Sequence, residues 1–148
     1  MRKTVVCYKR SEFMKTVNKD LVKKMKKGNF QNVYEELKSA GYEYTLEAFT
    51  RDFKNVSSEM KFAYLQYLIA KEETSDIHLL LCDFLMWTDT FFFDMYPVLN
   101  WHLRRALEIS PNNIKVLQWI TCNFIGHPDS PFTEEEIVEY SEVLSSLA

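Results

Sequence analysis

The stretch SDIHLLLCDFLMWT, residues 75–88, decides the fold. From Leu79 to Trp87 it is apolar almost all round, and a helix with that profile must be covered on several sides. It therefore marks the centre of a helical protein. The wider run from Ile77 to Leu99 is the most hydrophobic in the chain, yet Asp83, Asp89, Asp94 and Pro97 interrupt it. Each acid would cost about 2.5–3.5 kcal/mol at a bilayer centre, so the run reads as buried core and not as a membrane span.

Outward from this centre, punctuation cuts the chain into helices. Gly28, Gly41 and Gly126 each follow a helix-like run and read as C′ stops. Ser110-Pro111 reads as N-cap and first helical residue, and Thr133-Glu134-Glu135-Glu136 as a capping box with acid where the helix dipole favours it. The spacing predicts helices near 10–27, 30–40, 45–55, 57–71, 75–88, 95–109, 112–125 and 133–147. Tyr96, Leu99, Leu103, Ala106 and Leu107 share one helical face, as do Ile137, Tyr140, Ser141, Leu144 and Leu147. Only Val5–Tyr8 is strand-like, and it is too short to build a sheet. Short connections favour antiparallel neighbours, so the expected fold class is all-α, with about 7–8 helices in a compact bundle or a solenoid-like stack of helical hairpins. Ala106–Asn113 resembles the helix end and turn of a tetratricopeptide unit, but no second copy follows at the repeat period.

With 148 residues and 47% apolar content, the chain is expected to form one domain, 1–148, with 1–27 as a basic helical segment packed on it. Cys7, Cys82 and Cys122 are odd in number, far apart and without a CxxC spacing, which suits a reducing compartment. The first residues carry no core long enough for a signal peptide, so a cytoplasmic location is expected.

Charge is split along the chain. Residues 1–27 hold ten Lys/Arg against Glu12 and Asp20, whereas residues 28–148 hold eight Lys/Arg against nineteen Asp/Glu. A basic head on an acidic body bears on partners more than on fold. Lys15, Lys19, Lys23 and Lys26/Lys27 could track a phosphate backbone. Against that, Phe13, Val17, Leu21 and Met25 form an apolar stripe that leaves the lysines as a solvated face, and the acidic body would repel a polyanion. Nucleic acid is not the expected partner.

Little in the sequence carries catalytic chemistry. His78 and Cys82 stand at i,i+4, but no second pair completes a metal site, and His102 and His127 are isolated in sequence. The glycines are too far apart to cradle a phosphate. Adjacent acids such as Glu35/Glu36 and Glu72/Glu73 read as solvated faces. Neither metal, cofactor nor catalytic residue is expected.

The most unusual composition is Trp87-Thr88-Asp89-Thr90-Phe91-Phe92-Phe93-Asp94. Three consecutive rings cannot all point inward from one turn, so part of the segment reads as an aromatic patch rimmed by acid, with interhelical core as the alternative. The candidate partner-binding residues are Glu72, Glu73, Asp76, Asp89 and Asp94 for steering, and Trp87, Phe91, Phe92 and Phe93 for contact area.

Taken together, the helical build, acidic body and aromatic content over residues 28–148 resemble in type the small immunity proteins of bacterial polymorphic and contact-dependent toxin systems. That resemblance implies tight binding to a cognate, basic toxin domain and protection by occlusion. The alternative is a helical-repeat adaptor that grips a peptide or partner protein. Circular dichroism of the isolated protein is expected to show a helical spectrum with little strand; a β-dominated spectrum would contradict the fold and every surface argument built on it.

Overall fold

The computed structural model describes residues 19–41, 48, 52–87 and 95–148. All regular structure among them is helical. The chain divides into two compact units, Met1–Tyr67 and Leu68–Ala148. The strand-like run Val5–Tyr8 and most of the expected helix over 45–55 lie outside the described residues.

In the first unit, α1 is described over residues 19–26 and α2 spans Phe30–Ala40. Gly28 joins them with φ +73°, a conformation that side-chain-bearing residues rarely adopt. The Asn29 amide donates to the Lys24 carbonyl at 2.9 Å and the Gly28 amide to the Met25 carbonyl at 3.0 Å, the paired bonds of a Schellman stop. Leu21 and Met25 from α1 and Val33 and Leu37 from α2 are buried, as are Phe53, Tyr64 and Leu65. Lys19, Lys23, Lys26 and Lys27 are exposed, while Lys24 pairs with Asp20 at 2.8 Å and with Glu36. The described part of the basic segment thus has an apolar inner face and a solvated lysine face. Phe30 packs on Tyr64 and Tyr67 with ring centroids 5.4 and 5.7 Å apart.

α3 spans Ser58–Lys71 and opens with the Ser57 hydroxyl accepting from the Met60 amide. The division between the units falls within it.

The second unit contains α4 (Ser75–Trp87), α5 (Met95–Ile109), α6 (Ile114–Phe124) and α7 (Glu134–Leu147). Thr74 caps α4 by accepting from the Ile77 amide at 3.1 Å. Leu79, Leu80, Leu81, Cys82 and Leu85 are all buried, so α4 is the enclosed helix its composition predicts. α5 packs most extensively on it and runs antiparallel, since early residues of α4 meet late residues of α5. Leu99, Leu103 and Ala106 of the expected α5 stripe are buried, and Tyr96 and Leu107 are half-buried.

The start of α6 corrects one expectation. Ser110 and Pro111 do not open the helix: the Asn113 amide donates back to the Ser110 carbonyl at 3.2 Å, which places Pro111 inside a turn. Asn113 is the N-cap, its Oδ1 accepting from the Lys115 and Val116 amides at 3.1 and 3.3 Å. Its Nδ2 donates to Ser75 Oγ and Asp76 Oδ1 at 3.1 and 3.0 Å, tying the starts of α4 and α6 together. Trp119 Nε1 donates to Asp83 Oδ1 at 3.2 Å farther along, so α6 runs parallel to α4. α7 carries the expected capping box between Thr133 and Glu136 and packs on α6. Asn113→Ala is expected to destabilise the protein by about 1–2 kcal/mol through loss of the cap, whereas Ser110→Ala should stay within about 0.5 kcal/mol. Denaturant unfolding of the two variants measures both.

Candidate functional site

The structure brings Glu72, Glu73 and Asp76 together around the turn that precedes and opens α4, and Trp87 closes that helix. Asp89, Phe91, Phe92, Phe93 and Asp94 lie outside the described residues. Asp76 and Glu73 are engaged inside the fold. Asp76 accepts from Asn113, and Glu73 accepts from Arg105 Nε and Nη2 at 2.7 and 3.0 Å and from His78 Nε2 at 2.9 Å.

His78 continues this chain inward. Its Nδ1 lies 2.8 Å from Nδ1 of His102, and both imidazoles are buried between α4 and α5. The Arg105 hydrogen bonds, then that from His78, hold the Glu73 carboxyl down at about 2. A carboxylate only accepts, so His78 Nε2 carries a proton, and between the two Nδ1 atoms one ring donates and the other accepts. Burial, reinforced by His78, lowers the His102 pKa to about 4. Trp101 covers the pair edge-on at 4.9 Å from the His102 ring and 5.8 Å from the His78 ring, while remaining 58% exposed itself.

A general base must reach a substrate proton. His78 is fully enclosed with both nitrogens committed, so the cluster acts as a polar pin between two helices. The Cys82 thiol is likewise buried, and burial pushes its pKa up, away from the reactive thiolate. Among the described residues, no group of three or more His, Cys, Asp or Glu side chains is placed to hold a metal ion.

The feature open to a ligand is a groove of about 820 Å³ between α7 and the loop that leads into it. The loop begins at Ile125 and turns at Gly126, where φ is +66°. His127 Nδ1 accepts from the Asp129 amide at 3.1 Å, and Ser130 Oγ both accepts from the Phe132 amide and donates to the Phe132 carbonyl. Phe132 turns inward, its centroid 5.8 Å from those of Phe124 and Tyr140. Arg104 lies over the Phe132 ring at 4.7 Å, donates to the Pro131 carbonyl, and grips Glu136 through Nη1 and Nη2 at 2.7 and 3.1 Å. The Arg104 guanidinium holds the Glu136 carboxyl below its ordinary range. Phe124, Phe132 and Ile137 are buried beneath the groove, while Ile125 and Val138 beside it stay 68% and 56% exposed. Glu134 and Glu142 line it as exposed acids.

Sequence reasoning missed this groove and the histidine pair. Val138 offered one signal, an apolar residue off the inward stripe of its helix. The histidines offered another, since both interrupt apolar faces of consecutive helices that short connections make antiparallel. No protein-family model matches the chain, and neither curated proteins nor solved structures give a match.

The histidine pair sets a pH dependence. Below pH 6.5 the unfolded chain protonates at residue 102, whereas the folded protein refuses that proton until about pH 4, so stability falls across this window as pH drops. Glu73 adds a second loss at lower pH, from its ordinary value of 4.5 down to about 2. His102→Asn keeps an amide that can donate to or accept from His78 without the titration. Urea unfolding as a function of pH should show the variant's stability declining less than the parent's between about pH 6.5 and 4; identical slopes would contradict the assignment.

Proposed function

We propose that this chain is a non-catalytic protein-binding module that acts on its partner by occlusion, with the groove between α7 and residues 125–132 as its contact surface. The observation that carries this reading is that exposed Ile125 and Val138 both line an open groove whose surroundings are fixed by Arg104, Phe132 and Glu136. A preorganised apolar seat limits the ordering cost of binding. His78 and Glu73 support a binding role over a catalytic one, because both His78 nitrogens and the Glu73 carboxylate are engaged with His102, with each other and with Arg105.

Within this class, the acidic body favours a basic partner, and neutralisation of a bacterial toxin domain is the form suggested by the resemblance in type. The excess of Asp/Glu over residues 28–148 would speed encounter, and burial of the groove would set the lifetime of the complex.

The test is reconstitution with a purified candidate partner, beginning with any toxin domain encoded beside this chain. A one-to-one complex by light scattering, with partner activity lost at saturation, is the expected result. Val138→Asp or Ile125→Asp should weaken the complex about 30-fold or more, as for an interface hot spot, while leaving thermal unfolding little changed. Partner activity that persists at saturation would reject occlusion, and a complex indifferent to both substitutions would place the contact elsewhere.

A further inference from the structure

We propose that the groove seats a basic amphipathic helix of the partner, lying along α7 with its apolar face on Ile125 and Val138 and two cations about eight residues apart facing Glu134 and Glu142. This rests on the protein-binding reading above and deepens it.

The shape of the groove carries the first part. The α7 residues that line it, Glu134, Ile137, Val138, Ser141, Glu142 and Ser145, each stand three or four positions from another and make one stripe. From Glu134 to Ser145 the stripe runs about 16 Å along the helix. Ser141 and Ser145 turn their hydroxyls back to the carbonyls of Ile137 and Ser141, at 2.8 and 3.0 Å. These small side chains leave room for a second helix and ask no polar partner of it. An amphipathic helix answers such a surface with anchors at i, i+3/i+4 and i+7.

Charge carries the second part. Residues 106–148 hold seven Asp/Glu against Lys115 alone. Glu134 stands in the first turn of α7, where the helix dipole favours acid, but Glu142 lies two turns farther on, where the dipole gives no reason for one. The two are eight residues apart, about 12 Å along the axis, which matches the spacing of cations on a facing helix. An acid-lined groove disfavours anionic lipid and nucleic acid alike.

Two stapled helical peptides with the same leucine face test the occupant, one with lysines eight residues apart at the rim and one with glutamates there. Amide shifts on titration should map to Ile125, Val138 and Ser141, and the lysine peptide should bind about tenfold more tightly at low salt, the gap narrowing as salt rises. Glu134→Gln with Glu142→Gln should abolish the difference, and Val138→Asp should weaken both peptides. Equal affinities, or shifts mapping elsewhere, would overturn the proposal. So would a dimer of the chain that Val138→Asp dissociates, which would assign the groove to a second copy. With a true partner the two readings separate. A complex weakened by Val138→Asp but indifferent to the paired glutamine substitutions would remove the basic helix and keep the groove, whereas indifference to every variant would remove both.

Discussion

The hydrogen bond between His78 and His102 is the constraint on which the second unit depends. Two imidazoles sit in an otherwise apolar layer between α4 and α5, and a buried polar group left without its partner costs about 1–3 kcal/mol. Sliding α5 by one turn against α4 would leave the Nδ1 atom of each ring without this partner. The bond therefore penalises wrong registers more than it stabilises the right one, a role well attested for buried polar pairs. Glu73 and Arg105 are at the surface, where an ion pair contributes little stability by itself. Their part is orientation: the carboxylate accepts from His78 Nε2 and so holds the ring with Nδ1 toward His102.

From this register the groove follows by helical geometry. Adjacent residues on a helix point about 100° apart. Once Arg105 faces Glu73 beside α4, Arg104 must face away, and there it meets Asn100, Pro131, Phe132 and Glu136. Glu136 is simultaneously the capping-box acid of α7. One guanidinium thus holds the approach loop, a buried ring and the start of the final helix. The groove beside them is bounded on both sides by elements fixed through Arg104, which is what makes exposed Ile125 and Val138 a shaped surface in place of two scattered apolar residues.

What the sequence made legible was local. The three positive-φ glycines, the capping box and the all-round apolar helix at 75–87 depend on neighbours within a few residues, and each is where its pattern put it. Pro111 was ambiguous for a local reason, because its fixed φ suits the first turn of a helix and the second position of a β-turn equally well. Asn113 decided the matter by bonding residues on α4, a partner no short window contains. The same limit hid the histidine pair, whose members stand on different helices. Acidity was visible, but what a given acid bonds was not: only the fold shows that Glu73 meets a buried imidazole.

That distinction redistributes the charge asymmetry. Asp76, Asp83 and Glu73 near α4, and Glu136 on α7, each accept hydrogen bonds that join one element to another, so their charge is partly neutralised by the fold. Such acids make weak lures, since a partner cation would have to compete with an internal donor already in place. Glu134 and Glu142 line the open groove as exposed acids. In the binding mode proposed above, exposed carboxylates would act over a Debye length and the apolar seat only on contact. The sequence places the excess acid in the body of the chain; the fold separates the acids that join its elements from those that line the open groove.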